Sequence, residues 1–68
     1  MVKRLGDLIR REREKMDMSQ TWLASLVFVS PKTISAYELG NRKPSLKVMV
    51  RIAKALKIPA NLYIEYYI

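Results

Sequence analysis

Two helix start signals stand close together in the middle of the chain, and their spacing is the strongest constraint on the fold. Ser19 offers an N-cap hydroxyl, and Ser30 offers another, followed by Pro31 at the first helical position, where a missing N–H costs nothing. Only residues 27–29 separate the apolar stripe of the helix that begins at Ser19 from the cap at Ser30. This stretch is too short for an antiparallel hairpin of long helices, so the two helices must cross steeply. We predict them over residues 19–27 and 31–39.

Apolar residues also recur at helical spacing on both sides of this pair. An amphipathic pattern predicts a first helix over residues 3–16, ending at Asp17, a residue that tolerates the left-handed conformation. Gly40 ends the third helix, Ser45 caps a fourth, and Pro59 opens a last short helical segment over residues 60–68. The sequence therefore predicts an all-α fold of five helices in a single domain, residues 1–68.

Composition excludes several classes of function. The chain of 68 residues contains neither cysteine nor histidine, so disulfides, zinc sites and thiol or imidazole catalysis are ruled out. Its few carboxylates form no pair at a position that also offers a pocket. No apolar run approaches the length of about 18 residues typical of a membrane span. We expect a cytoplasmic protein that is not an enzyme and needs no metal or cofactor.

The charge of the chain is strongly positive and unevenly distributed. Lys and Arg number 13 against 6 Asp and Glu, which gives a net charge of +7. The stretch from Lys32 to Lys57 holds seven of the basic residues and a single acid, Glu38. Such a footprint is typical of a protein that binds a polyanion, although basic charge also serves solubility alone.

Taken together, the motifs of the chain resemble the Cro and phage-repressor (XRE-type) helix-turn-helix family. The resemblance covers about residues 5–64 and rests on Ser19-Gln20, Leu23-Ala24, Val29-Ser30, Ile34-Ser35, Glu38, Gly40, Arg42, Pro44-Ser45, Ile52-Ala53 and Ala55-Leu56. It implies a compact phage-repressor-like domain whose second and third helices form the helix-turn-helix. The implied function is that of a sequence-specific regulator of transcription that binds double-stranded DNA and represses by occupying its operator. The alternative is a DNA-binding antitoxin or adaptor whose main partner is a toxin or another protein.

The resemblance places the base contacts on the first turn of the third helix and one turn later. The residues at those positions are Ser30, Pro31, Lys32, Thr33, Ser35 and Ala36. Lys32 can donate to guanine O6 and N7, whereas Pro31 and Ala36 can contact only an apolar group such as a thymine methyl. For Lys32 the alternative is a phosphate contact or a solvated charge.

The resemblance also places contacts to the sugar-phosphate backbone at the start of the second helix and in the loop after the third. These residues are Gln20, Asn41, Arg42, Lys43 and Lys47. Gln20 lies in a first helical turn, where free N–H groups already favour an anion, although simple capping is the alternative. A solvated loop is the alternative for residues 41–43.

A structural ion pair between Arg13 and Glu38 is implied by the same resemblance. Glu38 is the lone acid of a basic region, so it needs a partner there. Arg10 is the competing partner.

Two residues depart from the family pattern. Phe28 stands where the family has glycine, so either the turn is remodelled or a phenylalanine adopts a strained, left-handed conformation. Trp22 occupies an outer, usually polar position of the second helix. There it packs against Leu26, joins Phe28 in an exposed apolar patch, or packs along the DNA backbone.

The last residues of the chain are apolar and aromatic, with Glu65 as their only charge. A segment this short cannot bury all of these side chains, so we predict a homodimer joined through it. The predicted interface residues are Leu62, Tyr63, Tyr66, Tyr67 and Ile68. The alternative is that the tyrosines bury their rings on their own chain and keep only the hydroxyls in water.

Overall fold

Four α-helices followed by two short 3₁₀ turns make up the computed structural model, which describes residues 4–68. The helices are α1 (Leu5–Lys15), α2 (Gln20–Val27), α3 (Pro31–Leu39) and α4 (Leu46–Leu56), and the 3₁₀ turns are Ala60–Leu62 and Ile64–Tyr67. The start of the first predicted helix, at residue 3, lies outside the described residues.

The predicted count of five helices is not confirmed, because the last segment forms 3₁₀ turns and not an α-helix. The backbone N–H of Tyr63 donates to Ala60 at 3.1 Å and that of Tyr66 donates to Tyr63 at 3.1 Å, which are 3₁₀ rather than α-helical bonds. Tyr63 itself interrupts the segment with φ −125° and ψ −15°. The segment after Pro59 therefore turns twice over the body of the protein.

The predicted serine caps are confirmed at the starts of three helices. The hydroxyl of Ser19 accepts from the backbone N–H of Trp22 at 2.9 Å, and that of Ser30 accepts from Thr33 at 3.1 Å. Ser45 caps α4 in the same way. Each hydroxyl satisfies a backbone donor that the first turn of a helix leaves without a partner.

Left-handed residues end or follow the helices. Gly40 adopts φ 80° after α3, and Asp17 adopts φ 53° after α1, as its sequence position predicts. Phe28 adopts φ 63° at the turn between α2 and α3, so the turn keeps the left-handed geometry and is not remodelled. This conformation costs a residue with a Cβ about 1–2 kcal/mol.

The core lies between the crossing helices. Its fully buried side chains are Ile9, Leu23, Val27, Ile34, Met49 and Ile52. Ala24 is also buried, where α2 packs against α3. At Gly6 the helices α1 and α3 approach so closely that a Cβ would lie 2.2 Å from the carbonyl oxygen of Tyr37.

Two further features concern residues 4–68 only. None of the helices there is long and apolar enough to cross a membrane. The same residues contain no group of three or more acidic side chains arranged to hold a metal ion.

Candidate nucleic-acid interface

The predicted base-reading residues occupy the N-cap and the first two turns of α3. Ser30, Pro31 and Lys32 are exposed, and Thr33, Ser35 and Ala36 are half-buried. The hydroxyls of Ser30 and Thr33 lie 2.8 Å apart and satisfy each other. Lys32 has no ion pair within residues 4–68, so its ammonium is the long, free donor of this surface.

The predicted ion pair between Arg13 and Glu38 is present and positions α3 against α1. Arg13 donates to Glu38 through Nε at 2.7 Å and Nη2 at 3.1 Å, and through Nη1 to the carbonyl of Met18 at 2.6 Å. These hydrogen bonds raise the pKa of the Arg13 guanidinium above its ordinary value, against the lowering effect of burial. The competitor Arg10 pairs with Glu14 instead, at 3.4 Å.

Gln20 joins this pair, a contact that the sequence did not indicate. Its Nε2 donates to Oε1 of Glu38 at 3.0 Å, so one carboxylate connects α1, α2 and α3. The amide nitrogen carries two N–H groups, and the second is not used by Glu38. Gln20 and Glu38 lie on different helices, so no periodic pattern within one helix links them.

The loop between α3 and α4 presents three exposed polar residues in succession. The backbone N–H groups of Asn41 and Arg42 both donate to the carbonyl of Ala36, at 2.9 and 3.3 Å, which holds the loop close to the end of α3. The guanidinium of Arg42 lies 6.0 Å from the centre of the Tyr37 ring. Lys47 is exposed in the first turn of α4, four residues after Lys43.

Lys43 is tied to the C-terminal segment. Its ammonium donates to the carbonyl of Tyr66 and lies 4.4 Å from the centre of the Tyr67 ring. The hydroxyl of Tyr67 donates to the carbonyl of Pro44 at 2.6 Å. Burial raises the pKa of that hydroxyl to about 12. The segment after α4 therefore braces the loop.

Arg4 is a further residue that the sequence did not single out. Its Nη1 donates to the carbonyl of Leu39 at 3.1 Å, so it satisfies an acceptor at the end of α3. It also lines, with Arg42 and Lys43, a cavity of about 380 Å³ beside the loop. Isolated arginines carry no periodic signal, so only the folded chain reveals this position.

Only some of the side chains predicted at the dimer interface are exposed in the C-terminal segment. Tyr63, one of the predicted interface residues, is only 6% exposed and belongs to the core of its own chain. Tyr66 and Tyr67 pack partly against the same core. The apolar side chains that the segment exposes are Leu62, Ile64 and Ile68. Ile64 was not among the predicted interface residues.

A family model described as helix-turn-helix matches residues 9–62. The chain belongs to the helix-turn-helix family. This confirms the family that the sequence motifs indicate, and the matched residues include both α2 and α3.

Curated helix-turn-helix proteins resemble the chain over most of its length. An uncharacterised HTH-type transcriptional regulator of Mycobacterium tuberculosis is 43% identical over 61 residues, which are 88% of this chain and 44% of that protein. A second such regulator, from Sinorhizobium fredii, is 33% identical over 61 residues, 90% of this chain and 43% of that protein. The chain thus spans less than half the length of these two relatives.

A solved structure matches nearly the whole chain. The P22 c2 repressor protein, crystallised in complex with the synthetic operator 9T in the presence of Tl⁺, superposes with a TM-score of 0.83 at 29% identity. The match covers 91% of this chain and 92% of the repressor chain.

Proposed function

We propose that this helix-turn-helix protein is a sequence-specific regulator of transcription that binds double-stranded DNA and represses by occupying its operator. The observation that carries the proposal is the superposition of nearly the whole chain on a repressor crystallised with its operator. The names of the relatives, HTH-type transcriptional regulators, support the same function. None of these relatives is named as an antitoxin or an adaptor, so that alternative is not favoured.

In this proposal the exposed start of α3 enters the major groove. Lys32 donates to guanine, and Pro31 and Ala36 add apolar contact with a thymine methyl. Ser30, Thr33 and Ser35 complete the surface with short hydroxyls. Because only one of the six side chains is long and charged, direct readout is modest and the shape of the DNA contributes the rest.

The sugar-phosphate backbone is held on both sides of that helix. Asn41, Arg42, Lys43 and Lys47 form one contact region, and Gln20 forms the other through the amide N–H that Glu38 leaves free. Lys43 reaches a phosphate by exchanging its contact with the Tyr66 carbonyl for a charged partner. Arg13 and Glu38 keep the two regions in register and need not touch DNA.

The functional unit is a homodimer in this proposal. Two copies related by a twofold axis present their α3 helices to half-sites about one helical turn apart. The exposed side chains of the C-terminal segment, Leu62, Ile64 and Ile68, form the contact between the copies. A regulator of transcription works where the genome is, so the expected cytoplasmic location belongs to the same proposal.

Selection of bound duplexes from a random DNA pool tests the proposal directly. We expect a recurring site with two half-sites, whose spacing gives the geometry of the dimer. Affinity for that site is then measured against salt concentration. Arg42, Lys43 and Lys47 each neutralise a phosphate, so the logarithmic slope is about −3 per subunit. Recovery of no preferred sequence, together with binding that does not change with salt, would reject the function.

A further inference from the structure

The face shared by α2 and α4 exposes an apolar patch that the DNA-binding proposal does not use. Trp22 is 57% exposed, Leu26 45% and Phe28 80%. Leu26 lines a shallow cavity of about 330 Å³ together with Arg51, Lys54 and Ala55. We call Trp22, Leu26, Phe28, Arg51 and Lys54 the aromatic patch.

The members of the aromatic patch form one continuous surface. Trp22 and Leu26 lie one helical turn apart on the same side of α2. Leu26 and Arg51 border the same cavity, and the guanidinium of Arg51 lies 5.5 Å from the centre of the Phe28 ring. The surface therefore extends from α2 across the cavity to α4, and from Arg51 on α4 to Phe28 at the turn between α2 and α3.

Phe28 is in a conformation that its own packing does not explain. At φ 63° it occupies the left-handed region, which glycine adopts freely and side chains with a Cβ disfavour. Its ring is exposed and adds little to the core. Strain combined with exposure points to use of the ring at a surface.

The charge around the patch is positive and uncompensated. Neither α2 nor α4 contains an acidic residue. Within residues 4–68, no carboxylate pairs with Arg51 or Lys54, whereas the basic residues of α1 all have such partners. The patch therefore complements an apolar stripe flanked by acidic side chains.

Other occupants fit these features less well. A second copy on a twofold axis would bring Arg51 and Lys54 against their own like charges. DNA would satisfy those cations, which continue the stripe begun by Lys47 on α4, but its phosphates offer no partner for three exposed apolar side chains. Protein interfaces, in contrast, are enriched in Trp, Phe and Arg.

We propose that the aromatic patch docks an acidic amphipathic helix of a partner protein. The apolar stripe of that helix packs on Trp22, Leu26 and Phe28, and its carboxylates pair with Arg51 and Lys54. The proposal is independent of DNA binding and does not require it.

Fluorescence of Trp22 tests the proposal, because it is the only tryptophan in the chain. The probe is a synthetic helical peptide of about 18 residues, with a Leu and Phe stripe flanked by Glu. The control peptide has the same composition in scrambled order, so it has the same charge and no stripe. We expect saturable binding of the striped peptide with a blue shift of the Trp22 emission, and no such shift with the control. Equal binding of both peptides would overturn the proposal.

Two variants locate the site. Phe28→Gly and Arg51→Gln should each weaken binding of the striped peptide about tenfold or more. Arg11→Gln, which removes the same charge from the outer face of α1, should leave the affinity unchanged. Phe28→Gly also relieves the left-handed strain, so a melting temperature at or above that of the parent separates lost binding from unfolding. Unchanged peptide affinity in Phe28→Gly would overturn the proposal.

Titration with duplex DNA and sedimentation identify the competing occupants. If DNA shifts the Trp22 emission and Phe28→Gly abolishes that shift, the patch is a DNA contact and the proposal fails. If the parent is a dimer and Phe28→Gly is a monomer, the patch is an interface between copies and the proposal fails. No effect of the variant in either measurement supports the protein partner.

Discussion

Lys32 and Arg42 both lie at the candidate interface. Their structural settings differ, so we expect them to have different functions. Lys32 projects from the start of α3 without an ion pair in the described part of the chain, whereas Arg42 follows α3 in the loop. Lys32→Ala should weaken the selected site by about 1–3 kcal/mol and relax one base position. Arg42→Ala should weaken all sequences about equally. Competition binding on the selected site and on random duplex measures both, and identical sequence profiles would contradict the assignment.

A second residue-scale prediction concerns the carboxylate that joins three helices. The side chains of Arg13 and Glu38 are only 11% and 4% exposed, so removal of one charge leaves the other poorly solvated. Glu38→Gln should lower the free energy of unfolding by about 3 kcal/mol. Glu14→Gln, at a pair whose side chains are 60% and 56% exposed, should lower it by no more than about 0.5 kcal/mol. Urea unfolding compares the two, and equal effects would show that the buried pair adds nothing.

At the scale of elements, the crossing of α1 and α3 depends on the absence of a side chain at position 6. A Cβ there would lie 2.2 Å from the carbonyl oxygen of Tyr37 and 2.8 Å from that of Glu38. Gly6→Ala should destabilise the protein by about 2 kcal/mol or more, although alanine favours a helix by about 1 kcal/mol. Arg11→Ala, on the exposed side of α1, should stay within about 0.5 kcal/mol. A more stable Gly6→Ala protein would mean that the helices separate at no cost.

The contact between the C-terminal segment and the loop before α4 predicts a loss of stability at high pH. The pKa of Tyr67 is about 12 in the folded chain and about 10 in an unfolded one. Between these values the unfolded chain releases the proton and the folded chain retains it, so stability falls as the pH rises from about 10 to about 12. Below pH 10 this contribution is fully present.

Tyr67→Phe isolates this effect from the titration of lysines, which is common to all variants. Urea unfolding at several pH values should show a shallower decline for Tyr67→Phe than for the parent. Tyr66→Phe is the matched control and should keep the steeper decline. Parallel curves for the parent and Tyr67→Phe would show that the hydroxyl is not held in the folded chain.

For the whole molecule, the proposed dimer depends on the exposed apolar side chains of the C-terminal segment. Leu62 is 42% exposed and Ile64 40%, so lysine at both positions should abolish the dimer without disturbing the core. Analytical ultracentrifugation measures the mass, and a melting temperature near that of the parent shows that the fold persists. A double variant that still sediments as a dimer would place the interface elsewhere.

Loss of the dimer should also reduce DNA affinity, because a monomer holds one half-site only. Each monomer would then bind its half-site separately, without the raised effective concentration that a joined second copy provides. The selected site with both half-sites should lose far more affinity than an isolated half-site. An equal loss at both would indicate that the copies bind DNA independently.

Local sequence patterns predicted the four α-helices, with ends close to those in the structure. The hydroxyls of Ser19, Ser30 and Ser45 cap helices because each lies within three residues of the N–H that it accepts, and such contacts depend on neighbours in the chain alone. The family motifs also predicted the pair of Arg13 and Glu38, which is present in the structure. They did not decide whether Phe28 would keep the left-handed turn, because that depends on packing of α2 against α3.

By itself, the sequence determined the four main helices and the helix-turn-helix family, since periodicity, caps and motif spacing are local properties of the chain. Tertiary structure alone decided that Gln20 binds Glu38, that Arg4 holds the end of α3 and that Tyr63 enters the core. It also decided that the final segment forms 3₁₀ turns. These features join residues far apart in the chain, and such partners exist only after the helices have packed and set which side chains water can still reach.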